Sequence, residues 1–165
     1  MCSSDLVHLR GSGIRDLAIA VSRRYELHEA EVDGVKIRVL AFPQHRFYAK
    51  TCLNIAVECF QQYNRWFGKY PYPTFTIAES YFGWNGNETG GMVLIDERVF
   101  AAPTIGQMYI DHLVSHEICH QWFYGVVGTD GYDETWMDEG LVSHLNELRM
   151  RAKYGREATL IEWPR

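Results

Sequence analysis

The chain has 165 residues, 47% of them hydrophobic, with 14 Gly, 5 Pro and a formal net charge of −5, the composition of one folded domain with a sizeable core rather than of a disordered segment. An acidic balance without clustered Lys and Arg argues against nucleic acid and anionic membrane surfaces as partners, because both demand basic patches. No run of about 18 apolar residues offers a transmembrane helix, and the N-terminus lacks the basic, apolar and small-residue succession of a signal peptide; a soluble domain without a membrane segment is expected.

Residues 1–13 show no apolar period and end in Gly11 and Gly13, so they are read as a disordered lead-in to a domain over 14–165; MCSSDL also resembles a translated sequencing-library adapter. Residues 17–22 (LAIAVS) and 35–41 (VKIRVLA) read as strands, the second entered through an Asp33-Gly34 hairpin turn, and predict part of an antiparallel sheet. From 48 to 67 the apolar residues Cys52, Ile55, Cys59, Tyr63 and Trp66 recur every three or four positions, the period of an amphipathic helix that Gly68 stops. Cys52 and Cys59 are expected to pack there as small hydrophobes. With Cys2 and Cys119 they show no C-x-x-C pairing, and no disulfide framework is expected.

Pro71 and Pro73 then break the chain. Residues 74–79 (TFTIAE) alternate as a strand, 83–91 form a Gly- and Asn-rich loop, and 93–95 are a short apolar strand. Thr104 and Gln107 have the spacing of a capping box for a helix that runs to about Tyr124, where Gly125 ends it. Thr135 and Asp138 repeat that spacing before a second helix over 136–154, expected to turn Leu141, Leu145 and Leu148 inward. No internal repeat is visible.

His116, Glu117, Ile118, Cys119 and His120 spell H-E-x-x-H on the first of those two helices, and a helix sets residues four apart on one face, so both imidazoles can reach one ion. Catalytic zinc sites use three protein ligands and keep a position for water. Glu139, at the start of the second helix after a turn long enough to reverse the chain, fits the third place. Glu117 sits about 100° round the helix from His116, beside the ion rather than on it. That is the place of a general base toward a water whose pKa zinc lowers toward about 7. One Zn2+ per chain and amide hydrolysis are the expectation.

HEICHQWFYG, with eighteen residues between its second His and the Glu of WMDEGL, resembles the signature of the M1 family of zinc aminopeptidases, within the thermolysin-like gluzincins. Gln121, Trp122, Phe123 and Gly125 match the run behind that family's zinc helix. Trp136, Asp138, Gly140 and Leu141 match the run around its third ligand, and residues 67–72 (FGKYPY) resemble its FGxYPY stretch. The resemblance covers about Leu17 to Lys153. It implies an α+β, thermolysin-like catalytic domain fragment: a small, mainly antiparallel sheet followed by the helices carrying the ligands, with a peptide as substrate.

The family also carries an upstream G-x-M-E-N or G-M-E-Y-P-G motif whose glutamate binds the substrate's free amine. One register sets Gly86-Asn87-Glu88-Thr89-Gly90-Gly91-Met92-Val93-Leu94-Ile95 on the bacterial pattern and places Glu88 at the amine; a rival register starts at Gly90 and places Val93 there. The first keeps the glutamate and aligns the following strand, although Asn87 replaces Met and Thr89-Gly90 replaces Tyr-Pro. An ammonium near zinc needs an anionic partner, which a loop carboxylate can provide. The family's oxyanion-stabilising tyrosine lies far downstream of its third ligand. Tyr154 is too close to Glu139 to be its counterpart, so the chain is expected to be a fragment with little activity alone.

His112, one turn before His116, and His144, beyond Glu139, are read as bystanders, as are His8, His28 and His45. Asp133, Glu134 and Asp138 are candidates to orient the zinc histidines. The leading reading is a zinc aminopeptidase. A gluzincin that cuts internally or acts on another substrate, and a catalytically inert M1-like interaction module, stay open beside it.

Overall fold

The computed structural model describes residues 8, 10–13, 15–83, 85–101 and 106–155. Thr104, half of the expected capping box, and Cys2 lie outside them. The first two strands, β1 (Glu26–Val32) and β2 (Val35–Ala41), form an antiparallel hairpin whose register runs from Val32 opposite Val35 back to Glu26 opposite Ala41. Asp33 (φ 52°) and Gly34 (φ 86°) both take the left-handed conformation that a two-residue hairpin loop requires. The expected turn and second strand are thus in place, but the first strand is 26–32, not 17–22. A two-residue turn hands pairing to the residues directly before it. Residues 17–22 instead lie outside any named strand, with Leu17, Ile19 and Val21 exposed.

Helix α1 (Arg46–Phe67) buries Cys52, Ile55, Cys59 and Tyr63 on the predicted stripe, while Trp66 is 42% exposed. Cys52, Cys59 and Cys119 are free thiols buried in the core. Burial pushes each of them up to about 12, which rules out nucleophilic thiolates. Gly68 ends the helix with its N–H on Asn64 O. The chain then returns along the sheet as β3 (Thr74–Ser80), β4 (Gly86–Thr89) and β5 (Met92–Asp96), followed by the short α2 (Glu97–Ala101). Sheet order is β1-β2-β3-β5-β4.

The sheet is mixed rather than mainly antiparallel: β2–β3 and β3–β5 are parallel, β1–β2 and β4–β5 antiparallel. The cause is connectivity. Helix α1 carries the chain back to the starting end of the sheet, so β3 must run parallel to β2. The expected 83–91 loop contains β4, an edge strand paired to β5 through a turn at Gly90 and Gly91, the latter at φ 80°. Helix α1 packs on β1 and β2, and α3 (Gln107–Cys119) packs on α1. Phe60, Tyr63, Phe67, Tyr70 and Trp122 form an aromatic cluster beneath α3, edge-to-face at Phe60–Tyr70 and around Trp122 and stacked at Tyr63–Phe67. The whole is an α+β domain, as expected.

Two helix expectations need correction. Helix α3 stops at Cys119, not near 124, and begins at a Gly106 cap without a side-chain bond. Beyond it the chain coils so that Gly125 N–H reaches His120 O and Tyr124 N–H reaches Val127 O. A Cβ at Gly125 would stand 2.8 Å from Gln121 O, so only glycine fits that coil. The second helix, α4 (Glu139–Tyr154), begins three residues later than predicted, after a 3₁₀ turn at Thr135–Met137. Thr135 Oγ1 donates to Gly131 O instead of capping, and Asp138 caps α4 through Glu139 N.

Leu141 and Leu148 are 39% and 41% exposed; the inward face carries Val142, Asn146, Arg149 and Met150. That face meets α3 through polar pairs. Asp111 holds Arg149 Nη1 at 2.6 Å, and Ser115 Oγ donates to Asn146 Oδ1 at 2.5 Å.

Candidate metal centre

Helix α3 presents His116 and, one turn on at its C-cap, His120, and α4 brings Glu139, its first residue, to them across the helix pair. His116 Nε2 lies 3.2 Å from Glu139 Oε2, His120 Nε2 lies 3.6 Å from Oε1, and the two Nε2 atoms are 3.3 Å apart. All three groups converge within 4.8 Å of one another. Three donors this close, two imidazoles and a carboxylate, are the set a cation would gather.

His120 Nδ1 is 3.2 Å from Phe123 O, a backbone acceptor that puts the ring proton on Nδ1 and leaves the Nε2 lone pair toward the cluster. His120 is buried, His116 nearly so, and the Glu139 side chain is 44% exposed, so the cluster opens to solvent on the α4 side. The neighbouring imidazoles of His116 and His120 hold the Glu139 carboxyl far below its ordinary range.

Glu117 stands beside this triangle on the buried side. Its Oε2 is buried without a partner among the described residues, and burial, opposed by His120 and reinforced by the charges of Glu88 and Glu139, pushes its carboxyl up to about 8. An orphaned carboxylate oxygen next to a three-donor cluster is what an attacking water and a cation would complete. A dication among the histidines would favour the ionised form again. The residues present therefore fit a bound metal.

Glu88 lies on β4, opposite Val93, and β4 packs against α3. It is half-buried, and its charge acts on both Glu117 and His120. All five residues singled out from the sequence thus converge on one region.

The bystander histidines mostly behave as read. His144 and His8 are exposed. His112 stacks near His116, with ring centroids 6.5 Å apart, and lies outside the three-donor group. His45 does have a partner, the buried Glu79 at 2.6 Å. Of the acids flanking Glu139, Asp133 is exposed and Glu134 accepts from Trp136 Nε1. Asp138 bonds Thr129 Oγ1 at 2.9 Å as well as capping α4, so it steers Glu139 rather than a histidine.

Four contributors escaped the sequence reading. Gly86 gives Glu117 its space: a Cβ there would stand 2.6 Å from Glu117 Cδ and 2.8 Å from Cγ. Gln121 ties the β4–β5 turn to the end of α3 through Thr89 O and Gly91 N. Asp16 reaches the same turn at Gly90 N and accepts from Tyr124 Oη. Arg149 anchors α4. Gln121, directly after the second histidine, and Gly86, at the head of the motif around Glu88, carried a signal; Asp16 and Arg149 did not.

The Peptidase family M1 domain profile matches residues 51–163. Puromycin-sensitive aminopeptidase of Caenorhabditis elegans is 28% identical over 141 residues, 80% of this chain and 15% of the relative. Glutamyl aminopeptidase of Bitis rhinoceros is 28% identical over 129 residues, 73% of this chain and 13% of the relative. Aminopeptidase M1-B of Oryza sativa subsp. japonica is 27% identical over 147 residues, 84% of this chain and 17% of the relative. The chain therefore spans 13 to 17% of the length of these relatives. With the family profile covering more than half of its residues, the chain belongs to peptidase family M1.

Proposed function

We propose that this chain carries the zinc site of an aminopeptidase that releases N-terminal residues from peptides. The observation that carries the reading is the convergence of His116, His120 and Glu139, with the buried carboxylate of Glu117 alongside. His116 Nε2, His120 Nε2 and the Glu139 carboxylate would hold one Zn2+, which when bound acts as a Lewis acid toward water and the scissile carbonyl. Glu117 takes the proton of the attacking water at its carboxylate and passes it to the leaving amine nitrogen. Burial of Glu117 excludes competing solvent from that transfer. Glu88, on the edge strand, pairs with the substrate's free ammonium and so sets the cut one residue from the N-terminus.

Aminopeptidase names among the relatives support the exopeptidase reading. Since the chain spans only 13 to 17% of those relatives, efficient turnover belongs to this region joined to others, and the chain alone is expected to be weak or inert. The test is zinc analysis with an aminoacyl-anilide assay on the full-length protein, alongside Glu117→Ala. One zinc per chain, with turnover abolished in the variant, is expected. Stoichiometric zinc without turnover in the unaltered protein would favour an inert M1-like module.

A further inference from the structure

We propose that Gln121 is a positioning residue whose carboxamide fixes the β4–β5 turn to the end of the metal-binding helix and thereby sets where Glu88 stands relative to the histidine pair. The inference rests on the reading of Glu88 as the amine partner. Gln121 directly follows His120 and is 1% exposed. Its Oε1 accepts from Gly91 N–H at 2.9 Å and from Tyr70 Oη at 3.0 Å, and its Nε2 donates to Thr89 O at 2.9 Å. One planar amide thus reads both a donor and an acceptor of a turn that begins one residue after Glu88.

The strand it holds is short and lightly anchored by the sheet. β4 is four residues long, lies at the edge of the sheet and, among the described residues, pairs only with β5. A strand this short, pinned on one side, shifts easily unless its turn is anchored. Asp16 supplies a second anchor, accepting from Gly90 N–H at 2.7 Å and from Tyr124 Oη at 2.7 Å. Both anchors lead to the segment just beyond His120, so the turn is registered to the residues that carry the metal and not to the sheet alone. Tyr70, from the stretch between α1 and β3, closes the arrangement from below: its ring packs edge-on against Phe60, and its hydroxyl supports the Gln121 oxygen.

A merely structural Gln121 would lower stability and leave ligand discrimination alone, whereas a positioning role weakens recognition of the free amine. The test uses the zinc-loaded chain and two probes, L-leucine hydroxamate and N-acetyl-L-leucine hydroxamate, titrated by calorimetry. The hydroxamate reports the metal; the ratio of the two affinities isolates the amine. In Gln121→Met, of similar length and without these hydrogen bonds, the ratio is expected to fall about tenfold, equivalent to one lost polar contact. Zinc stoichiometry and affinity for the acetylated probe should hold. Adding Gln121→Met to Glu88→Gln should cost nothing more, because Gln121 acts through Glu88. Gln121→Glu keeps the acceptor toward Gly91 and Tyr70 and is expected to retain more of the ratio, which also covers the case in which Gln121→Met does not fold. A wild-type ratio in the Gln121 variants, with the ratio lost in Glu88→Gln alone, overturns the positioning role. A ratio unchanged in Glu88→Gln overturns both and places the fault in the Glu88 reading.

Discussion

Gly86→Ala tests the site through a contact that the motif around Glu88 does not reveal. The added Cβ would stand 2.6 Å from Glu117 Cδ and 2.8 Å from Cγ, against a comfortable carbon–carbon separation of about 3.5 Å or more. The carboxylate must therefore retreat by about 1 Å, or β4 must swing away by as much. A displacement of that size at a proton-transferring group costs about 10²-fold in rate, or about 2.7 kcal/mol of barrier. Overpacking a buried contact also lowers stability by about 1–3 kcal/mol. His116, His120 and Glu139 are not touched, so zinc content should stay at the unaltered level. The assay is kcat for an aminoacyl-anilide in the full-length protein, with metal analysis and a thermal melt on the same preparation. A variant that keeps its zinc and loses kcat supports the close approach of Gly86 to the base. Unchanged kcat in a folded, zinc-loaded Gly86→Ala protein refutes it.

Chelation should destabilise the chain: zinc at 100 times its dissociation constant contributes about 2.7 kcal/mol, worth roughly 5–11 °C of melting temperature in a domain of this size, and Glu139→Ala should abolish the zinc-dependent shift in calorimetry. Arg149→Met leaves the buried Asp111 with only Lys153 and Tyr154; a loss of about 3 kcal/mol is expected in urea unfolding, and a loss under about 1 kcal/mol would count against the ion pair as the lock between α3 and α4. Burial alone would raise the Asp96 carboxyl, but Arg98 and the N–H groups of Arg98, Gly83 and Phe82 outweigh it and draw it down from 3.8 to about 2. Its contribution, about 2 kcal/mol, is then fully present above pH 4 or so and fades as pH falls toward 2; Asp96→Asn should flatten acid unfolding over that window, and an unchanged acid midpoint would contradict the assignment.

The legible parts of this fold were those fixed by short-range chemistry. Asp33-Gly34 predicted a hairpin turn because only such residues take positive φ cheaply, and the stripe of α1 predicted its buried face because apolar side chains alone determined it. The three-donor cluster was legible because helix geometry converts a four-residue spacing into convergence, and Glu139 followed from a turn long enough to reverse the chain. Pairing between distant segments was not legible. Nothing local in residues 17–22 distinguishes an extended segment from a paired strand, and nothing in β3 reveals that α1 returns the chain for a parallel pairing.

The misjudged face of α4 has a different cause, and it bears on how the site is built. Apolar periodicity pointed Leu141 and Leu148 inward, yet a helix has one orientation about its axis, and Glu139 must face the histidines. Residues three, seven and ten or eleven positions after Glu139 share its face, and these are Val142, Asn146, Arg149 and Met150. The polar residues there meet polar partners on α3: Asn146 bonds Ser115 and the backbone of His112, and Arg149 bonds Asp111. Ser115 adjoins His116 in sequence, so the interlock acts one residue from a candidate ligand. An apolar interface would be less costly to desolvate, but it would tolerate rotation or sliding of α4, and each residue of slip would carry Glu139 about 1.5 Å along the axis and 100° around it. Directional hydrogen bonds forbid that slip. The same logic holds at the other end of α3, where Gln121 rather than an apolar contact registers the β4–β5 turn. Where a helix must deliver a side chain to a fixed point, hydrogen-bond register outranks apolar burial, and a reading based on apolar stripes errs on that face.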